Sequence, residues 1–330
     1  MVKKCVQSRG SLLAAAVSLA VTTGVAAQTP SVSQPAGLNL GATSFYDGFT
    51  GSPGWTWLSW LRYSSANAIK DNNGKIVPAF SNPKITSYVW ANQIAYLSDT
   101  SFAGWRPGFT AILPTVALNS SFGPGQSLTN GGTGLGDITV GAFMQADPVL
   151  ASDGRPLFVQ RFSLDAILPT GKYDQRTDIN QGAGFASINP YWAATLFPAE
   201  RWEVSWRLYY LYNFRNNKPA SSNPQQSFNG APLASTQAGQ AAWLNFAASY
   251  AITPSFSLGI NGYYFQQVSD SKANGTTLPN SKERVLGIGP GMMWRIDRDT
   301  ALWINAYHET MVRGRTSAPL TAQVRLAIKF

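Results

Sequence analysis

The last eleven residues constrain the fold more than any other part of the chain. From Leu320 to Phe330 the even positions read Leu320, Ala322, Val324, Leu326, Ile328 and Phe330. The odd positions read Thr321, Gln323, Arg325, Ala327 and Lys329. Period-two alternation gives a strand one apolar and one polar face. A run of this length also suffices for a tilted strand to cross a bilayer. The alternation recurs upstream. Val204, Trp206, Leu208, Tyr210 and Tyr212 oppose Glu203, Ser205, Arg207, Tyr209 and Asn213. Leu244, Phe246, Ala248 and Tyr250 oppose Trp243, Asn245 and Ser249, and Phe256, Leu258 and Ile260 oppose Ser257, Asn261, Tyr263 and Gln267.

Alternation alone does not say which face meets solvent; composition decides. Only 12% of the residues are charged, against roughly 25% in ordinary soluble domains. Aromatics make up another 12%, including 11 Trp, and mean hydropathy is −0.10. That excludes a disordered chain. No apolar run beyond the N-terminus is long enough for a membrane helix. A soluble β-sandwich would leave many Trp and Tyr in water, whereas Trp202, Trp294, Trp303 and Tyr212 near strand ends suit the interfacial girdles of a lipid-facing barrel. The expected fold is therefore an all-β, transmembrane antiparallel β-barrel.

Twelve strands are expected near 54–65, 84–98, 104–119, 135–149, 155–170, 184–198, 201–214, 237–252, 255–269, 283–296, 300–313 and 317–330, with ten or fourteen as alternatives. Their connections alternate long and short, as in outer-membrane barrels, although the one near 314–316 is short where a long one is expected. The chain start reads as a signal peptide over 1–27: Lys3, Lys4 and Arg9 precede an apolar run ending in Val25-Ala26-Ala27. Removing it takes the net charge from +9 to +6 and removes Cys5, the one cysteine. Residues 28–53 are either a disordered leader or a segment folded into the pore. Phe45-Tyr46-Asp47-Gly48-Phe49 would be awkward in water, which favours the pore. The barrel itself is assigned to 54–330.

Several motifs occur in order: LPTGKYD from Leu168, NPYWA from Asn189, NGYY from Asn261, SKER from Ser281, GPG from Gly289 and the final Phe330. Together they resemble the outer-membrane family named for the meta-pathway of phenol degradation, over roughly residues 37–330. The resemblance implies an outer-membrane channel, integral to the bacterial outer membrane, for small hydrophobic or aromatic compounds. It supplies no catalytic residues. Terminal Phe330 resembles the end of outer-membrane proteins and suggests the barrel-assembly machinery as a partner. AILPT occurs twice, at 111–115 and 166–170. Pro114, Pro169 and Pro190 are expected to bend or end strands. Two such prolines would either open a lateral gap for an apolar solute or merely stop a strand.

Catalysis has little support. His308 is the only histidine, is expected to point outward, and lacks a serine motif to pair with. One histidine argues against an ordinary zinc site, and no EF-hand pattern occurs. The loop 123–136 lacks the lysine of a phosphate loop, so no cofactor is expected. Without a basic run or basic-aromatic module there is no nucleic-acid partner; excess basic residues suit the lumen or lipopolysaccharide.

By strand parity the lumen is lined by Arg161, Asp165, Glu203, Arg207, Tyr209, Asn213, Asn245, Asn261, Tyr263, Gln267, Glu283, Asn305, Tyr307, Glu309, Arg313 and Arg325. Such charges should pair, with Glu283 opposite Arg313. Tyr209, Tyr263 and Tyr307 suit a route for aromatic solutes. The expected function is passive uptake of small hydrophobic or aromatic compounds. The alternatives are a water-filled porin with mild anion preference, a barrel enzyme acting on lipid, and a closed structural barrel.

Overall fold

The computed structural model describes residues 30, 32–223 and 226–330; the expected signal peptide lies outside them. Twelve long strands form the wall: β1 (Gly54–Ala66), β2 (Lys84–Leu97), β3 (Trp105–Ser121), β4 (Ile138–Ala146), β5 (Pro156–Leu168), β6 (Ser187–Leu196), β7 (Trp202–Asn213), β8 (Ala241–Thr253), β9 (Phe256–Gln267), β10 (Arg284–Arg295), β11 (Thr300–Arg313) and β12 (Leu320–Lys329). Each pairs antiparallel with the next, and β12 pairs with β1 from Thr56↔Lys329 to Ser65↔Leu320. The sheet is thereby closed and leaves no free edge. Twelve is the expected number.

The barrel is inside out relative to a soluble protein. Ile260 and Leu164 on the outer face are 58% and 55% exposed, whereas Glu203 and Asn245 on the inner face are each 1% exposed. An apolar outer face around a polar interior is the arrangement lipid requires. Aromatic clusters ring the short-turn end: Trp55 lies 5.0 Å from Tyr96 and 5.4 Å from Phe109, and Trp202 lies 5.2 Å from Tyr250, between ring centroids. Trp303 departs from the girdle expectation. It is buried on the inner face, with the Arg325 guanidinium 3.9 Å from its ring centroid.

The prolines act in three different ways. Pro169 stands just past β5 and ends it. Pro114 lies within β3, where the pairing steps from Ile112↔Thr139 to Thr115↔Leu135. That step accommodates one extra residue opposite β3, a bulge around Gly136-Asp137. The Gly136 amide donates to the Pro114 carbonyl at 2.8 Å, so the missing proline donor faces the bulge, where no ladder partner needs it. Pro190 lies within β6 rather than at its end, and the β6–β7 pairing is interrupted between Tyr209↔Tyr191 and Tyr212↔Ile188. The Asn189 side-chain amide donates to the Tyr210 carbonyl at 2.7 Å, replacing the bond that proline cannot make.

Arg313 also departs from expectation. Met311 has a left-handed φ of 54°, and the β10–β11 register slips between Leu286↔Thr310 and Arg284↔Arg313. The extra residue reverses parity. Val312 turns inward at 7% exposure, and Arg313 is exposed at the rim. Glu283 therefore meets Arg315, at 3.7 Å, instead of Arg313.

Candidate functional site in the barrel lumen

Residues 34–52 make contacts from one end of the lumen to the other. At the long-loop end, which faces outward in barrels of this kind, Gln34 bonds the Gly239 carbonyl (2.9 Å) and Gln267 (3.0 Å), and accepts from Asn213 (2.9 Å). Midway, Asn245 Nδ2 donates to the Asn39 carbonyl at 3.0 Å, and Tyr307 donates to the Gly41 carbonyl at 2.6 Å. Trp60 and Gln323 both donate to the Ala42 carbonyl, at 3.2 and 2.9 Å. Near the short turns, Thr50 bonds Gln145 at 3.1 Å, and Tyr46, Phe49 and Phe197 cluster. Unpaired backbone groups in a lumen need partners, and the inward Asn, Gln, Trp and Tyr side chains supply them.

Close packing explains two glycines. Gly41 has φ +74°, and a Cβ there would lie 2.7 Å from Tyr263 and 2.8 Å from Tyr307. A Cβ on Gly291, in the GPG motif, would lie 2.5 Å from Asn261 and 3.1 Å from Phe45. Phe45 is wholly buried, and its carbonyl accepts from Trp303 Nε1 at 3.2 Å.

The charges pair differently from the wall-to-wall bracing expected. Arg207 forks onto Asp47 of the luminal segment, through Nε at 3.0 Å and through Nη2. Glu203 is held by Ser205 (2.6 Å) and Ser249 (2.9 Å), and Glu309 by Tyr263 (2.8 Å) and the Ala318 amide (2.7 Å). Asp165 accepts from Ser163 at 3.1 Å, and Asn261 and Asn305 bond the Gly289 carbonyl and Ser44 at 3.1 and 3.2 Å. Arg161 and Arg325 are buried, and neither Nε has an acceptor among the described residues.

One row of cross-strand partners organises these groups. Phe143, Ser163, Tyr191, Tyr209, Trp243 and Phe265 follow one another from β4 to β9. Tyr191 lies 5.0 Å from Tyr209, which stacks on Trp243 at 4.3 Å. Small Ser163 interrupts the aromatics, and the Arg161 guanidinium lies 5.3 Å from the Phe143 ring and 5.6 Å from that of Tyr191. Parity names Arg161 and Tyr209 and puts Trp243 on the Asn245 face, but does not name Phe143 or Tyr191 as lining groups. The period-two pattern of NPYWA carries that signal for Tyr191.

A second inner surface is apolar. Antiparallel partners share a face, so inward Trp60 places Ala91 and Pro114 inside through Trp60↔Ala91↔Pro114. Val89, Ile112, Val116 and Leu118 fall on the same face. Most of this β2–β3 strip is only half-buried, whereas the inner positions of β7 and β8 are buried, so the luminal segment covers β2 and β3 less completely. Two-sided apolar strands lack clean alternation, which hid this strip in the sequence. His308 lies on the outer face, with Nδ1 2.9 Å from the Pro319 carbonyl.

Closed strand pairing, an apolar exterior and a polar, partly aromatic lumen define a transmembrane β-barrel of the outer-membrane type. The chain belongs to the family described as "Putative MetA-pathway of phenol degradation", whose model matches residues 66–325. Among solved structures it is similar to an outer membrane channel from Pseudomonas putida F1, at 16% identity and a TM-score of 0.73, over 87% of this chain and 99% of that one. Weaker likenesses are to the translocator domain of the autotransporter NalP from Neisseria meningitidis (10% identity, TM-score 0.45, 85% of this chain and 90% of that one) and to the TodX monoaromatic hydrocarbon channel (10% identity, TM-score 0.42, 85% and 91%). No curated protein sequence matches the chain.

Proposed function

We propose that this barrel is a passive outer-membrane channel for small hydrophobic or aromatic compounds, serving the catabolism of phenol-type molecules. The observation that carries the reading is the apolar inner strip of Val89, Ala91, Ile112, Pro114, Val116 and Leu118, which the hydrogen-bonded luminal segment leaves mostly half-buried. An aqueous pore has no use for such a strip; an apolar solute does, because each buried CH₂ contributes about 0.8 kcal/mol. The solute gradient drives the flux. Lipopolysaccharide is the outer partner of the basic surface, and Phe330 is the signal to the assembly machinery.

The competing reading is a water-filled porin, favoured by the inward Arg161 and Arg325, whose Nε atoms have no acceptor among the described residues. Conductance in a planar bilayer separates the two. The intact protein should give little steady ion current, because the luminal segment occupies the polar part of the cross-section. Large steady openings with anion selectivity would establish the porin instead.

A further inference from the structure

We infer that the aromatic row holds a binding site for an aromatic monocarboxylate, with Arg161 as its carboxylate fork. The inference rests on the reading of the lumen as a solute path and names a solute class for it. Arg161 is 8% exposed, its Nε has no acceptor, and it forms no ion pair among the described residues. Its nearest carboxylate on the same strand, Asp165, is engaged by Ser163. A buried guanidinium without an anion is strongly disfavoured, and a neutral solute would leave it so.

The neighbouring arginine shows what satisfies such a group here. Arg207 lies 4.6 Å from the ring centre of Tyr191, the ring that Arg161 also approaches. Arg207 is forked by the Asp47 carboxylate. Two guanidinium groups therefore share one aromatic ring; one holds a carboxylate from the chain itself and the other holds none. The Tyr209 hydroxyl, beside Arg207, has no acceptor for its proton among the described residues. Planar guanidinium groups bind carboxylates bidentately. Phe143 and Tyr191 supply ring surfaces beside the guanidinium, against which a flat ligand packs. A benzene ring carrying one carboxylate matches each of these features.

The test uses folded, full-length mature protein in detergent, titrated calorimetrically with benzoate and with its neutral isostere benzamide. Benzoate is expected to bind saturably and at least tenfold more tightly than benzamide. Arg161→Gln should lower the benzoate-to-benzamide affinity ratio at least tenfold, and Arg161→Lys should restore part of it. Heat-modifiable gel migration checks that each variant is folded. Equal affinities for the two ligands in the wild type, or an unchanged ratio in Arg161→Gln, would overturn the inference. If Arg161→Gln does not fold, the ratio in Arg161→Lys and its dependence on salt decide in the same way. Entry of labelled toluene into cells is measured alongside. Channel-dependent toluene entry without benzoate selectivity removes this site and leaves the channel. Selective benzoate binding without channel-dependent entry of either solute retains the site and removes the channel.

Discussion

Excision of residues 32–50 is expected to raise single-channel conductance at least tenfold. Wall closure does not use these residues: β1 and β12 pair directly over ten positions, and every other strand is hydrogen-bonded to both neighbours. The barrel should therefore survive the deletion, as heat-modifiable migration would show. What the deletion removes is the backbone that satisfies Trp60, Asn245, Tyr307 and Gln323. Water would replace it, and a barrel of twelve strands is wide enough for an aqueous path once its interior is vacated. An unchanged current from a folded deletion variant would mean that the obstruction lies elsewhere, in the outer loops.

Breaking the Asp47–Arg207 pair should release the segment without dissolving the barrel. Arg207 and Asp47 are 9% and 3% exposed at their side chains. Losing one partner of a buried pair costs about 3–5 kcal/mol, because the other charge stays buried alone. Charged to local opening of the segment, that is a rise of roughly two to three and a half decades in the open population. Residues 28–330 contain no cysteine, so a thiol placed at buried Ser44 reports opening by its alkylation rate. Asp47→Ala should accelerate alkylation about a hundredfold or more. The double variant Asp47→Ala/Arg207→Ala should fall much closer to the parent, since no charge is stranded. Equal acceleration in the single and double variants would show that the pair does not hold the segment.

The wall was legible in the sequence because lipid and lumen impose opposite chemistries on alternate residues. β7, β8, β9 and β12 alternate cleanly, and their inward sets follow from parity. Parity failed at Arg313 because a left-handed Met311 has no residue-type signature comparable to glycine. It was silent on β2 and β3 because both of their faces are apolar. The aromatic stretch 45–49 pointed to the lumen, but not to its partner: Asp47 meets Arg207 across 160 positions. That contact is a property of the closed barrel rather than of any local pattern. The motifs behind the family resemblance serve the lumen and its rim: Asn189 repairs the ladder at Pro190, Gly291 makes room for Phe45, and Glu283 meets Arg315.

The most direct measurement is entry of labelled toluene, at limiting concentration, into Gram-negative cells with and without this barrel. Lipopolysaccharide must be intact, since it is the barrier that an apolar solute needs a protein to cross. A channel of the kind proposed gives a several-fold faster, saturable initial rate when the folded barrel is present. Equal rates with and without an abundant, folded barrel would contradict it.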